Sequence, residues 1–194
     1  MKRTLLLIII VSSISVLFSQ DKRAFVGITH NAISLGNPFA KGPIHPGIDV
    51  GLARMLNDHP NIRWFQTYRL GILHQSDVQT AVPLYSEIGF RYIPGGGFAI
   101  GPQLGLGYLH AFSASPTVKQ NADGSYRKSI NWGRAQGMVA LTLGASYGTG
   151  NLRYFLNYQL MLQGPFVSGR APLLPTTTLR FGVSFSVPKK ENNE

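Results

Sequence analysis

Residues 84–110, LYSEIGFRYIPGGGFAIGPQLGLGYLH, form two runs of alternating character joined by Pro94-Gly95-Gly96-Gly97. Before the turn, Leu84, Ile88, Phe90 and Tyr92 share a face with Ser86, while Tyr85, Glu87, Gly89 and Arg91 share the other, the period of two of a β-strand. After it, Phe98, Ile100, Pro102, Leu104, Leu106 and Tyr108 oppose Ala99, Gly101, Gln103, Gly105, Gly107 and Leu109. The stretch predicts a β-hairpin with one apolar wall and one wall of glycine and charge. The rest of the chain repeats it.

Six further segments carry the same pattern, so that with the hairpin there are eight, each near the ~9–11 residues that a tilted membrane strand requires. Segment 24–34 is the weakest, fading at His30, and 47–55 and 62–74 follow. Beyond the hairpin lie 134–147, 152–163 and 178–187, of which 152–163 alternates most cleanly. The connections alternate too. Residues 56–61, 94–97 and 148–151 are short turns, whereas 36–46, 111–133 and 164–175 are longer links, with 75–80 as the short exception. Short turns at one end and long loops at the other are how outer-membrane barrels thread. An even strand number then puts both termini at the short-turn end, in the periplasm.

The first 19 residues are of another kind. Lys2 and Arg3 precede the apolar run LLLIIIV and small residues lead up to Gln20, which predicts a signal peptide cleaved near Ser19. The run is short of the roughly 20 residues of a membrane helix and is interrupted by Ser12, Ser13 and Ser15. Removing it takes the formal charge from +10 to +10 − 2 = +8. There is no cysteine, so neither a lipid-anchored thiol nor a disulfide framework is available. The division expected is 1–19 leader, 20–188 barrel and 189–194 a charged tail.

Charge decides which wall faces out. Arg63, Arg69, Arg91, Arg153, Arg180, Asp49 and Glu87 all have the parity of the glycine wall. A mid-strand charge facing lipid costs about 2–4 kcal/mol, so the apolar wall is expected to face the bilayer. Arg54 has the apolar parity but sits at a strand end, where it can snorkel to the interface. Trp64, Tyr92, Phe98, Tyr108, Tyr147 and Phe185, near segment ends, suit interfacial girdles or plain β-propensity. The competing architecture is a soluble lipocalin-like binder with the apolar wall turned inward. Aromatic and leucine side chains at nearly every alternate position would overfill an eight-stranded interior.

On these residues the chain resembles the small eight-stranded outer-membrane β-barrel proteins of Gram-negative bacteria, over essentially its whole mature length. The resemblance implies an all-β, antiparallel, up-and-down transmembrane barrel in the outer membrane, in contact with lipid bilayer and lipopolysaccharide. Its most specific local element is Arg180, Gly182, Phe185 and Val187 in the last segment, which looks like the signal read by the barrel-insertion machinery of that class. Here Pro188 to Glu194 continue beyond the strand instead of ending on the aromatic residue.

The chemistry on offer lies mainly on the polar wall. With turns centred near His59, Asp77 and Gly95, parity pairs Asp49 with Arg69, Thr67 with Glu87, and Glu87 with Gln103. The expectation is a lumen ion cluster of Asp49, Arg69 and Glu87, serving as a packed plug or as a gate or proton site, among the further lumen polar residues Arg63, Arg91, Gln103, Arg153, Asn157, Gln159 and Arg180. Within 111–133, Asn121-Ala122-Asp123-Gly124 is a turn signal between strand-like flanks, predicting a hairpin whose Lys119, Arg127 and Lys128 meet lipopolysaccharide phosphates or an acidic partner, or are simply solvated. His110, Ser113 and Ser115 raise a lipid hydrolase, but His110 has outward parity and Glu87 inward, and a triad needs hydrogen-bond reach. The histidines lack metal-ligand spacing and the basic residues form no patch with interleaved aromatics, so no metal, cofactor or nucleic acid is expected. The resulting expectation is a monomeric, plugged, non-enzymatic barrel working through its outside loops. A narrow porin-like channel and a lipid-modifying enzyme stand as the other functions.

Overall fold

The computed structural model describes residues 22–39, 44–76, 78–114, 118–120, 125–128, 132–165 and 173–188. The leader and its cleavage site, Asp77, Ser115, the 121–124 turn and the 189–194 tail fall outside the described residues.

Eight strands close into one antiparallel barrel. They are β1 (Lys22–Ala32), β2 (Pro46–Met55), β3 (Ile62–Gln75), β4 (Gln79–Gly95), β5 (Phe98–Ser113), β8 (Arg134–Tyr147), β9 (Leu152–Gly164) and β10 (Leu174–Val187). Each pairs with its predecessor in the barrel, and β1 pairs with β10 from Lys22↔Val187 to Ala32↔Thr177, so there is no free edge. Two three-residue strands, β6 (Val118–Gln120) and β7 (Tyr126–Lys128), pair with each other as a separate sheet within the longest loop.

The walls are sided as alternation requires. Ile28, Ile48, Leu70, Leu84, Leu104, Leu106, Leu141 and Phe181 lie on the outer surface, with Ile28 64% and Leu106 65% exposed. A continuous apolar outer wall is not a surface that water tolerates; a bilayer covers it. Facing inward, Asp49, Arg69, Glu87, Asn157, Gln159 and Arg180 are buried. The leucines and tyrosines of the apolar wall do not converge on a central cavity, which removes the lipocalin-like arrangement.

Several details depart from the alternation alone. The strands run from 10 to 17 residues, and the longest exceed the span of a bilayer because the β4–β5 pairing continues from Gly95↔Phe98 to Gln79↔Ser113. The first strand does not fade: β1 is paired through His30 on both sides. The lumen is also less polar than expected. Leu73, Tyr85, Leu109, Met138 and Met161 form a buried cluster inside it, and Phe25 and Phe65 are buried as well.

The turns explain themselves locally. In 56–61 the Asn57 side chain accepts from the Trp64 amide at 2.7 Å and donates to the Ile62 carbonyl at 3.0 Å, holding the β2–β3 reversal. The β4–β5 turn runs through Gly95, Gly96 and Gly97, all at positive φ of 121°, 61° and 80°, where side-chain-bearing residues are strained.

Candidate functional site

The best-defined constellation is a polar network that crosses the middle of the lumen. Arg69 on β3 donates from Nη1 to Asp49 Oδ2 on β2 at 2.7 Å and from Nε to Glu87 Oε2 on β4 at 2.6 Å. One guanidinium thus bridges three adjacent strands. The three residues are 3–4% (Asp49 and Arg69) and 0% (Glu87) exposed.

The register differs from simple parity. Arg69 stands opposite Gly51 and Tyr85, Asp49 opposite Gly71, and Glu87 opposite Thr67 and Gly105; Gln103 is opposite Gly89 and not Glu87. Both carboxylates are therefore diagonal neighbours of Arg69. Diagonal positions on adjacent strands lie about 7–8 Å apart, a distance long side chains cover. Thr67 does pair with Glu87 and donates to it at 3.2 Å.

Arg180 on β10 completes the network from the far side of the seam, with Nε 2.9 Å from Asp49 Oδ2. It can do so because β1 between them carries Gly27, where a Cβ would lie 2.7 Å from Asp49 Oδ1. The Arg180 Nη2 donates to the Tyr85 hydroxyl at 2.7 Å and to Gln159 Oε1 at 3.3 Å. Gln159 Nε2 donates to Glu87 Oε1 at 3.1 Å, and Thr142 donates to the same oxygen at 2.7 Å. With its amide oriented so that the oxygen faces Arg69, Asn157 accepts from Nη2 at 3.3 Å. Two guanidiniums and two carboxylates make the set neutral. Every strand of the barrel except β1 and β5 gives it a side chain, which ties the cross-section together and fills it.

Tyr85 and Thr142 are the members that alternation did not single out. Tyr85 shares the parity of Glu87, and its hydroxyl joins the network across the lumen, accepting from Arg180 Nη2 on β10 and from Gln159 Nε2 on β9 at 3.2 Å, neighbours distant in sequence. Gln103 is buried within the lumen without touching Glu87. Arg63, Arg91 and Arg153 lie apart from the network, toward the short-turn end. There Arg91 stacks over the Phe65 ring at 4.1 Å and Arg153 donates to Ser146 Oγ at 3.3 Å.

The remaining candidates are dispersed. In β10, Arg180 and Gly182 face the lumen while Phe185 and Val187 are exposed on the outer wall. Lys119 is opposite Arg127 in the β6–β7 pair, whose backbone forms the predicted hairpin, and Arg127 is exposed. His110 lies on the outer rim with its Nδ1 2.6 Å from the Tyr108 hydroxyl and its Nε2 2.9 Å from the Trp132 carbonyl. Glu87 is on the opposite side of the wall, so the two do not form an acid–base pair.

No protein-family model matches the sequence, and no curated protein matches it significantly. Solved structures do. Neisserial surface protein A superposes with a TM-score of 0.52 at 13% identity, over 86% of this chain and 96% of that one. The attachment invasion locus protein Ail of Yersinia pestis superposes with a TM-score of 0.50 at 11% identity, over 87% of this chain and 99% of that one. The fold is that of the small eight-stranded outer-membrane β-barrels. At these identities the likeness concerns architecture, and the lumen network has to be argued from its own geometry.

Proposed function

We propose that this chain is an integral outer-membrane barrel, exported by its leader, whose lumen is a structural plug and whose work is done by its outside loops in surface contact or membrane integrity. The observation that carries the plug is the neutral network around Arg69. Glu87, Gln159 and Thr142 are almost wholly buried at mid-lumen, so the cross-section is occupied by protein. Buried charges persist in such a place only when paired and hydrogen-bonded, and here each carboxylate has its guanidinium.

In this reading the residues 180–187 serve the insertion machinery, and Lys119, Arg127 and Lys128 present cationic groups to lipopolysaccharide phosphates. Cations on a strand pair beyond the apolar wall, with Arg127 exposed, suit a polyanionic surface. The barrel acts as a monomer, since closure of β1 on β10 leaves no strand edge for a second copy. Single-channel recording of the purified barrel in planar bilayers tests the plug. The expected trace has no stable current steps in either polarity. Steady unitary conductance would establish a channel in its place.

A further inference from the structure

We propose that the short-turn mouth of the lumen is a binding site for a small phosphate-type oxyanion, formed by Arg91 and Arg153 with Arg63 beside them. Arg63 and Arg91 stand directly opposite each other on β3 and β4, both with lumen parity. Like charges directly opposite on paired strands repel. Arg153, from β9, lines the same cavity as Arg91.

The carboxylates do not offset this. Among the described residues the acids buried in the lumen, Asp49 and Glu87, are committed to Arg69 and Arg180. Among the described residues none of Arg63, Arg91 and Arg153 makes an ion pair. Nor are their donors used up. The Nε of Arg63 is buried without a hydrogen-bond partner, Arg91 has its guanidinium flat on Phe65, and Arg153 has a long contact to one serine. Three half-buried cations crowded at the mouth of a protein-walled space repel one another, and an anion among them relieves that.

The space to receive one is present. A cavity of about 60 Å³ opens beside Arg91 and Arg153, with Arg23 at its rim and Arg69 and Asn157 at its inner end. At about 10–15 Å³ per water position it has room for a small oxyanion with a water or two. Arg23 is fixed at the rim by donating to Ser186 Oγ and the Asn151 carbonyl, both at 2.9 Å. The planar fork of arginine matches the paired oxygens of a phosphate or sulfate. Because the inner end is closed by the Arg69 network, the site is reached from the short-turn side and leads nowhere. It is a pocket for retention.

The test uses the full mature barrel in alkyl glycoside micelles, which carry no phosphate. Inorganic phosphate is titrated by calorimetry, and dioctanoyl phosphatidic acid is titrated in a second arm. Saturable one-site binding that weakens at least tenfold in the Arg91→Gln/Arg153→Gln double variant supports the site, and the arm in which it appears names the source of the phosphate. A charge control at the opposite end of the barrel, the exposed Arg134→Gln, should bind as the parent does. Heat-modifiable migration on gels verifies that each variant is folded. If the double variant does not fold, the parent alone decides: its melting temperature should rise with phosphate and not with chloride at matched ionic strength. Absence of saturable binding in both arms, or equal binding by a folded double variant, overturns the proposal.

Discussion

Replacing Glu87 with leucine, Arg69 with methionine, and then both together should show that the lumen network behaves as one electrostatic unit. The native set has two guanidiniums and two carboxylates, 2 − 2 = 0. Glu87→Leu leaves 2 − 1 = +1 and Arg69→Met leaves 1 − 2 = −1, in each case an uncompensated buried charge. Breaking a buried pair from one side costs about 3–5 kcal/mol, so the two single losses sum to about 6–10 kcal/mol. The double variant returns to 1 − 1 = 0, with Asp49 still on Arg180 at 2.9 Å. Its residual cost is the acceptor lost by Thr67 and Thr142, about 1–3 kcal/mol each and so about 2–6 kcal/mol in sum, while Gln159 Nε2 keeps the Tyr85 and Thr142 hydroxyls. The double variant should therefore fall short of the summed single losses, a coupling of about 4 kcal/mol. Urea unfolding of the barrel in lipid vesicles measures this. Trp64, on the outer wall, reports departure from lipid through its fluorescence. If the two single losses simply add, within about 0.5 kcal/mol, Arg69 and Glu87 do not stabilise one another and the plug needs another explanation.

Gly27→Val should push Asp49 and Arg180 apart, since a Cβ there meets Asp49 Oδ1 at 2.7 Å and the Phe181 carbonyl at 3.1 Å; a loss of about 1–3 kcal/mol is expected in the same urea titration. On the other wall, Leu104→Arg, beside Leu141 in the apolar band, should cost about 2–4 kcal/mol, and a variant as stable as the parent would contradict the assignment of that wall to lipid. Neutralising Lys119, Arg127 and Lys128 together should weaken capture of lipopolysaccharide by the nanodisc-held barrel about a hundredfold, at about 1 kcal/mol per cation. Unchanged capture would assign those residues to solvent.

The architecture was legible because a strand with lipid on one side and a crowded lumen on the other has to alternate, and 84–110 does so without a break. Arg69 between two acids was legible from parity for the same reason. The diagonal geometry was not: glycines at 51, 71 and 105 stand where partners were expected, and the reach of arginine and glutamate covers the offset. Arg180 could not be placed beside Asp49 from the sequence, because their proximity depends on closure and on the absence of a side chain at Gly27. Phe25, Phe65, Met138 and Met161 hide in the lumen for a related reason. Inside a barrel, unlike on a soluble sheet, either wall accepts apolar groups, so hydrophobicity alone does not mark the inside.

The seam between β1 and β10 has a consequence for biogenesis. Its partners are far apart in sequence, Lys22 with Val187, so the cylinder stays an open ribbon until β10 has reached β1. Such maximal separation makes assembly slow and late. Until then two bare margins and an oily surface are exposed together, the condition under which incomplete sheets associate wrongly.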